Sequence, residues 1–277
     1  MLFQTVGLCL ILTVVPSLAA APFDCNAVPI ALRCQSEELA KECGYSEACN
    51  NYFNATEGKP LKVTLLYESL CPDCQEFITG DFYKAYLKFM DHVEFELVPY
   101  GNARIENGKI ICQHGEKECA ANKYEGCILH YMKEPLPFLA CLEHQIPLRD
   151  DLDKAIQKCY NTFKPAPHVI DQVIHCANGE IGNKLQLEAA ARTAQVYPDA
   201  HKHVPWLLFN NVSLADSQFF TEQFEAAICT LHNGQKPLPQ CTGAGVRLGC
   251  PVDLSAEKNG YFRFSPDAKI ADEPLKH

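Results

Sequence analysis

The chain has 277 residues, 16 of them cysteine, and a formal net charge of −10 at pH 7. Its apolar fraction of 47% and charged fraction of 21% are ordinary for a globular protein, which excludes a disordered or fibrous chain. The 34 acidic residues outnumber the 24 basic ones, so no phosphate-neutralising surface is implied and a nucleic-acid partner is disfavoured.

Residues 1–20 are predicted to be a secretory signal peptide. The apolar run from Gly7 to Val15 is followed by the small-residue stretch 18–21, in the order of the h-region and cleavage region of such a signal. The run is too short for a membrane anchor, and no later stretch is apolar enough to span a bilayer. The cysteine density agrees with secretion, because disulfides form and persist in oxidising compartments.

Secretion leads to two further expectations. Asn54 and Asn211 each begin an Asn-X-Ser/Thr triplet and are predicted glycosylation sites. Cys9 leaves with the signal peptide, so 15 cysteines remain. Because that number is odd, at least one cysteine must be unpaired, joined to another chain or lost in later processing.

Residues 21–58 form an N-terminal segment with few large apolar residues. Its cysteines, Cys25, Cys34, Cys43 and Cys49, predict a small unit held together by disulfides. The run from Cys34 through a short helical pattern to Cys49 resembles the saposin A-type domain. That resemblance implies a lipid-contacting segment or a pro-region, whereas the residues themselves favour a disulfide-stapled cap.

Residues 60–232 are predicted to be the main domain, and its first part indicates an α/β fold. A β-rich run at Lys62–Tyr67 leads into the Cys-X-X-Cys motif of residues 71–74. Apolar residues at helical spacing follow from Phe77 to Phe89, and a second strand is predicted at Val93–Val98. A Cys-X-X-Cys motif between a strand and a helix is the context of a thioredoxin-like redox site.

The rest of the chain completes this architecture. Residues 112–200 predict a cysteine-rich helical insertion into the thioredoxin-like core, followed by a strand at Val204–Phe209 and a helix at 216–232. Residues 233–277 are rich in Pro and Gly and are predicted to be a removable tail. Cys241 and Cys250 could tie that tail to the domain.

Cys71 and Cys74 are the predicted catalytic residues. A cysteine at a helix N-terminus lies among unpaired backbone N–H groups, which favours its thiolate. Pro72 suits the first helical position, where its missing N–H costs nothing, and Cys74 can close a disulfide with Cys71. Asp73 opposes this activation, because its charge should raise the pKa of Cys71.

Two alternatives for the motif are a structural disulfide and half of a zinc site. Zinc needs a second pair of ligands, and the sequence has no second Cys-X-X-Cys. Cys112 with His114, or His201 with His203, could be recruited. We favour the redox interpretation and predict no metal and no bound cofactor.

The segment Val204-Pro205-Trp206 stands where thioredoxin-like folds carry a cis-proline before a central strand. By that analogy Val204 and Pro205 are predicted to face the Cys-X-X-Cys motif and to bind an extended substrate through the backbone. Trp206, the sole tryptophan, is predicted to lie in the core.

The segment from Cys112 to Cys127 resembles the CQHGxxECxxNxxExC signature of the gamma-interferon-inducible lysosomal thiol reductases. The motif at 71–74, the segment 98–103 and Val204-Pro205-Trp206 are also similar to that family. The resemblance implies a glycosylated lysosomal enzyme that reduces protein disulfides at acid pH. It also implies trimming at both ends and a precursor that can form a disulfide-linked homodimer. Pro72 and Asp73 depart from the small residues common between the family's active cysteines.

Considered on its own residues, the signature indicates scaffold. The spacing of Cys112, Cys119 and Cys127 predicts that they staple one helix face to its neighbours. Glu118 and Glu125 share a helix face and are predicted to be solvated, and His114 is predicted to be a hydrogen-bonded structural residue rather than a proton donor. The remaining cysteines of the main domain are predicted to be structural: Cys141, Cys159, Cys176 and Cys229.

The sequence thus predicts a thiol reductase of protein disulfides in an acidic endosomal or lysosomal compartment, serving protein degradation or antigen processing. Cys71 attacks a substrate disulfide, and Cys74 resolves the mixed disulfide. An external small thiol is the expected reductant, because no nucleotide-binding fingerprint is present. The alternatives are a disulfide oxidase or isomerase of the secretory pathway and a non-enzymatic lipid-binding secreted protein.

Overall fold

The structure, a computed structural model, describes residue 25 and residues 37–149, 151–232 and 238–241. The predicted signal peptide and most of the predicted C-terminal tail lie outside these residues. So do Cys34 and Cys250. None of the helices in the described ranges combines the length and apolar character that a bilayer crossing requires.

A five-stranded sheet forms the centre of the molecule. Its first strand is almost entirely buried, because the run Leu-Lys-Val-Thr-Leu-Leu-Tyr has helices on both sides. The strands are β1 (Leu61–Tyr67), β2 (Val93–Pro99), β5 (Tyr197–Pro198), β6 (Trp206–Phe209) and β7 (Val212–Ser213). Their order in the sheet is β2-β1-β6-β7-β5, with β1 parallel to β2 and β6 antiparallel to both β1 and β7. This is the predicted thioredoxin-like α/β core.

The connection from β1 to β2 is helical, as the apolar spacing predicts. It consists of α3 (Pro72–Phe77), a π-helical turn (Ile78–Phe82) and α4 (Tyr83–Phe89). Gly80 interrupts the helical backbone, with φ −99° and ψ −107°. The Phe82 ring stacks on Phe224 at 5.4 Å between centroids, so this connection packs against the helix that begins at Phe224.

Between β2 and β5 the chain adds a hairpin and five helices, which confirms the helical insertion. The hairpin turns at Asn107-Gly108, and both residues have positive φ, the signature of a type I′ turn. The elements are β3 (Arg104–Glu106), β4 (Lys109–Ile111), α5 (Glu116–Tyr131), α6 (Leu136–Arg149), α7 (Leu152–Phe163), α8 (Pro167–Asn178) and α9 (Glu180–Ala194).

Disulfides join these helices in pairs. Cys127 on α5 is bonded to Cys176 on α8, and Cys141 on α6 is bonded to Cys159 on α7. The prediction that three signature cysteines staple one helix face is wrong for Cys112. It precedes α5 and pairs with Cys119 instead, so that bond closes the loop at the start of the helix.

The two ends of the described chain add smaller elements. The helix predicted at 216–232 is divided into a 3₁₀ segment, Ala215–Thr221, and α10, Phe224–Leu231. Within the 3₁₀ segment the Gln218 amide turns inward and pairs with both the N–H and the C=O of Leu207. Cys229 is bonded to Cys241. At the N-terminal end lie α1 (Glu37–Glu42), α2 (Ser46–Thr56) and the disulfide Cys25–Cys43.

The bond between Cys127 and Cys176 is expected to be a major source of stability. It closes a loop of 49 residues, and the chain-entropy model assigns such a cross-link about 4 kcal/mol. In urea unfolding, the double variant Cys127→Ala/Cys176→Ala should lose unfolding free energy of that size. The bond between Cys112 and Cys119 closes a loop of only seven residues. The double variant Cys112→Ala/Cys119→Ala should therefore lose only about 2 kcal/mol of unfolding free energy. An equal or larger loss for the shorter loop would contradict this ranking.

Candidate active site

Cys71 lies at the junction between strand β1 and helix α3. A tight turn brings its backbone N–H to the Glu68 carbonyl at 3.2 Å, and its own carbonyl accepts the first helical hydrogen bond, from Gln75, at 3.0 Å. Cys71 is therefore the N-cap residue, and Pro72 occupies the first helical turn as predicted. The side chain is 7% exposed and Cys74 is fully buried.

The surroundings of Cys71 favour its thiolate. A hydrogen bond from the Cys74 thiol is the largest influence, and the backbone N–H groups of Cys74 and Asp73 add to it. Together they lower the pKa of Cys71 to about 6. Burial and the Asp73 charge act in the opposite direction, which agrees with the predicted effect of Asp73. The backbone N–H groups are available because the first turn of a helix leaves them unpaired.

Cys74 has the opposite character. Burial raises its pKa far above the ordinary thiol value, and its hydrogen bond to Cys71 adds to the shift. Neither cysteine is in a disulfide in this structure. The pair therefore consists of one readily ionised thiol near the surface and one protonated thiol behind it.

The loop before β6 faces this pair. The Val204–Pro205 peptide bond is cis, as predicted, and the Cys71 thiol lies 3.9 Å from the Val204 carbonyl oxygen. The structure thus brings Cys71 and the Val204–Pro205 segment together across 133 positions of sequence. Trp206 is buried as predicted, with its indole N–H donating to Ser213 Oγ at 2.9 Å.

The prediction that Glu118 and Glu125 are solvated is wrong, since both are fully buried. Their shared face of α5 is directed into the molecule, where Glu118 meets His114. The His114 ring nitrogen Nδ1 lies 2.5 Å from one Glu118 oxygen, and the His114 backbone N–H donates to the other at 3.0 Å. Burial lowers the pKa of His114, but hydrogen bonding and attraction to Glu118 outweigh it, so the pKa is raised overall.

A second carboxyl group, that of Glu68, completes the cluster of His114 and Glu118 and lies three residues before Cys71 in the sequence. The Asn102 N–H donates to one Glu68 oxygen at 2.6 Å, and the other oxygen lies 3.5 Å from His114 Nδ1. Gly101 has φ +55°, and a Cβ there would come within 2.4 Å of Glu68, so only glycine permits this approach. Burial, followed by repulsion from Glu118, raises the pKa of Glu68 to about 7.

Glu68, His114 and Glu118 are also the side chains in the described part of the chain that could together hold a metal ion, with ligand atoms within 4.8 Å of one another. The 2.5 Å contact between His114 Nδ1 and Glu118 is that of a hydrogen bond between the two side chains. The zinc alternative loses a ligand. Cys112 is in a disulfide with Cys119 and offers no thiolate.

A second pair of buried acids lies deeper in the molecule. Glu125 accepts a hydrogen bond from the Tyr67 hydroxyl at 2.6 Å, and Glu143 on α6 is fully buried beside it. Burial raises the pKa of Glu125 to about 7, and burial followed by repulsion from Glu125 raises that of Glu143 well above its ordinary value. The sequence analysis did not single out Glu143, which lies between Leu142 and His144 on α6.

The predicted glycosylation sites lie away from this centre. Asn54 is exposed on α2, and Asn211 is exposed in the turn between β6 and β7, where its side-chain oxygen accepts from Arg192 at 2.8 Å. Both remain predictions.

Comparison with known proteins shows which family the chain is similar to. The family model described as gamma interferon inducible lysosomal thiol reductase (GILT) matches residues 62–163. A gamma-interferon-inducible lysosomal thiol reductase of Carassius auratus is 36% identical over 234 residues, covering 82% of this chain and 85% of that protein. The chain belongs to the GILT family. A gamma-interferon-inducible lysosomal thiol reductase of Mus musculus is 34% identical, covering 64% of this chain and 71% of that protein.

A gamma-interferon-responsive lysosomal thiol protein of Arabidopsis thaliana is also 34% identical to this GILT family chain, covering 72% of it and 82% of the relative. Among solved structures, DsbA of Chlamydia trachomatis aligns with a TM-score of 0.40 and 18% identity, over 62% of this chain and 86% of that one.

Membership of the GILT family makes this chain a thiol–disulfide oxidoreductase, and the non-enzymatic lipid-binding alternative is wrong. Its disulfides and its lysosomal relatives assign it to the secretory pathway or the lysosome. The family model begins at residue 62, so the saposin A-type resemblance of residues 21–58 stays a prediction.

Replacement of Asp73 by Asn is expected to make Cys71 more acidic. Asp73 is exposed and its charge raises the pKa of Cys71, so its removal should lower the midpoint of Cys71 alkylation with pH. We expect a rise of about two- to threefold in alkylation rate at pH 5, as for a shift of half a pKa unit. Glu76→Gln removes an equal, exposed charge three residues further along the chain than Asp73 and should change the alkylation rate less. A higher midpoint in Asp73→Asn would contradict this account.

Proposed function

We propose that this chain reduces disulfide bonds of protein substrates in an acidic endosomal or lysosomal compartment, using Cys71 and Cys74. The observation that carries the proposal is the unequal thiol pair, in which Cys71 has a pKa of about 6 and Cys74 is buried behind it. A nucleophile of that acidity keeps a useful thiolate fraction at pH 5, where an ordinary cysteine is almost wholly protonated.

The chemistry is two thiol–disulfide exchanges. The Cys71 thiolate attacks one sulfur of the substrate disulfide, forms a mixed disulfide and releases the other substrate sulfur as a thiolate, which takes up a proton. Cys74 then attacks the Cys71 sulfur, the bond to the substrate breaks, and the second substrate thiol leaves. The substrate disulfide gains two electrons, and the enzyme dithiol is oxidised to the Cys71–Cys74 disulfide.

A free small thiol is the proposed reductant that restores the dithiol. The substrate is proposed to lie along Val204 and Pro205, where the Val204 carbonyl next to Cys71 can pair with an extended backbone.

The physiological role we assign is the opening of disulfides during protein degradation or antigen processing. A disulfide-linked homodimeric precursor remains part of the proposal. In the described ranges Cys71 and Cys74 are the only cysteines outside a disulfide.

One observation favours a second direction of the same chemistry. Lowering the pKa of Cys71 stabilises the reduced enzyme, and a stabilised dithiol form makes a thiol–disulfide pair more oxidising. A disulfide oxidase or isomerase of the secretory pathway is therefore the competing function.

The deciding experiment compares both directions at pH 4.5 and pH 7. Full-length protein is given a disulfide-bonded protein with a small thiol, or a reduced unfolded protein with an oxidised small thiol. A reductase should open the disulfide at pH 4.5 faster than it oxidises the reduced protein. Faster oxidation at both pH values would assign the competing function.

The mechanism is tested by trapping. Cys74→Ser should accumulate a covalent complex with the disulfide-bonded substrate, visible by mass spectrometry and released by excess reductant. The double variant Cys71→Ser/Cys74→Ser is the matched control and should form none. If Cys74→Ser also forms no complex, the assigned roles of the two cysteines are wrong.

A further inference from the structure

The turn that leads into Cys71 is held by hydrogen bonds from two helices. Residues 68–71 form a β-turn, closed by the hydrogen bond from the Cys71 N–H to the Glu68 carbonyl at 3.2 Å. Ser69 is the first central residue of this turn and has no exposed surface. The polar groups of a buried residue need partners, and for Ser69 all three partners come from helices α5 and α3.

Helix α5 holds Ser69 from one side and helix α3 from the other. The Ser69 N–H donates to the side-chain oxygen of Asn122 at 3.0 Å, and the Ser69 hydroxyl donates to the Glu118 carbonyl at 3.5 Å. The Gln75 side-chain amide on α3 donates to the Ser69 carbonyl at 2.8 Å. The turn is therefore tied both to the helix that follows it and to the helical insertion, where Asn122 lies 53 positions further along the chain.

Asn122 contributes to this arrangement through its side-chain oxygen. Only 2% of its surface is exposed. Its side-chain NH₂ group has no hydrogen-bond acceptor among the described residues, and a buried donor without an acceptor costs stability. The oxygen is thus the stabilising half of the side chain. Without it, the buried Ser69 N–H would lose its partner as well.

The position of the turn sets the position of the Cys71 thiol in two directions. Toward α3, the thiol lies against the backbone N–H groups of the first helical turn, which help to lower its pKa. Toward the loop before β6, the thiol lies 3.9 Å from the Val204 carbonyl oxygen, where the substrate is proposed to bind. Because Ser69 precedes Cys71 by only two residues, a shift of the Ser69 backbone would change both distances.

We propose that Asn122 is a positioning residue for Cys71, which it holds in place through the Ser69 N–H. Loss of the Asn122 oxygen releases the turn, moves the thiol from its place at the N-terminus of α3 and weakens the nucleophile without touching it. The proposal rests on the proposed function of the two cysteines. It gives the segment 112–127 a task at the active site in addition to the cross-linking of helices.

Asn122→Ala tests the proposal through the equilibrium of the Cys71–Cys74 pair with reduced and oxidised glutathione at pH 7. A released turn stabilises the Cys71 thiolate less, so the dithiol form loses stability relative to the disulfide. We expect the equilibrium to shift about three- to fivefold toward the disulfide, as for a rise of about 0.5 to 1 in the pKa of Cys71. Alkylation of Cys71 by iodoacetamide at pH 5 should slow by about three- to tenfold for the same reason.

Two further variants separate positioning from stability. Asn122→Asp has the same shape, and a buried aspartic acid is neutral at pH 5 and keeps an oxygen for the Ser69 N–H, so it should recover most of the alkylation rate at that pH. Tyr124→Phe removes a different buried hydrogen bond of α5, the one to the Tyr160 hydroxyl at 2.5 Å. Both Asn122→Ala and Tyr124→Phe should lower the urea midpoint, but only Asn122→Ala should change the equilibrium. An equal change in Tyr124→Phe, or no recovery in Asn122→Asp, would overturn the proposal.

Failure of the inference is distinguishable from failure of the proposed function. If Cys74→Ser traps substrate but Asn122→Ala keeps the wild-type equilibrium and alkylation rate, the positioning role is wrong and the dithiol mechanism stands. If Cys74→Ser traps nothing, the mechanism itself fails. Should Asn122→Ala not fold, Asn122→Leu fills a similar volume without the oxygen and is expected to give the same shift, and an unchanged equilibrium would overturn the proposal.

Discussion

Replacement of Cys71 by serine is expected to reduce the turnover of a disulfide-bonded protein by at least about 1,000-fold at pH 4.5. A serine hydroxyl does not ionise at this pH and cannot form a mixed disulfide. Cys74 cannot take over the attack, because it is fully buried and its pKa is raised by that burial. The measurement is the rate of substrate reduction in a small-thiol buffer, corrected for the thiol alone.

The control for this loss is structural. Cys71 lies at the first turn of α3 and contributes little packing volume that serine would not keep, so the circular dichroism and urea midpoint of Cys71→Ser should match wild type. Activity within tenfold of wild type would show that another group starts the exchange, and the assignment of Cys71 as nucleophile would be wrong.

The second large effect is the pH dependence of Cys71 reactivity. The lowered pKa means that the thiolate is present above about pH 6 and is lost as the pH falls through that value. At pH 5 about 9% of Cys71 should be thiolate, against about 0.01% for a thiol with a pKa of 9.0. The rate of iodoacetamide alkylation of the reduced protein should therefore rise to a plateau with a midpoint near pH 6.

Cys74→Ala is the matched control for this profile. The hydrogen bond from Cys74 is the largest influence on the pKa of Cys71, so its removal should shift the alkylation midpoint upward by more than one pH unit. A wild-type midpoint above pH 8, or no shift in Cys74→Ala, would contradict the assignment of the activating groups.

The buried Glu68 carboxyl gives a physical reason for activity at acid pH. Glu68 has a pKa of about 7, so at pH 5 it is mostly neutral. Because like charges repel reciprocally, an ionised Glu68 would disfavour the Cys71 thiolate, and that opposition weakens as the pH falls below 7. Acid therefore removes an opposing charge beside Cys71 while the lowered pKa preserves part of the thiolate.

Several elements were predictable because their causes are local. The strand before the Cys-X-X-Cys motif is rich in residues that favour strands, and the helix after it follows from apolar spacing and from Pro72 at its first turn. The hairpin at Asn107-Gly108 has an equally local cause, since an Asn-Gly pair favours the positive φ angles of its turn.

The burial of Glu118 and Glu125 was not predictable in the same way. A helix pattern shows which residues share a face, but it does not show what that face meets. On α5 the shared face meets Tyr67, Glu68 and Glu143, which come from strand β1, the loop after it and helix α6, respectively. Only the packing of those elements decides that these charged residues lie inside.

The sequence by itself indicated the secretory pathway or lysosome, predicted the thioredoxin-like order of elements and placed the Cys-X-X-Cys motif between a strand and a helix. Each of these depends on composition or on residues within a few positions of one another. The tertiary structure decided the disulfide partners and the acidic cluster. It also placed the Val204 carbonyl 3.9 Å from Cys71. These contacts join residues between 4 and 133 positions apart, and most of their distances are set by how helices and strands pack. The acidity of Cys71 and the burial of Cys74 belong to both levels, since the motif supplies the helix N-terminus and the fold excludes the water.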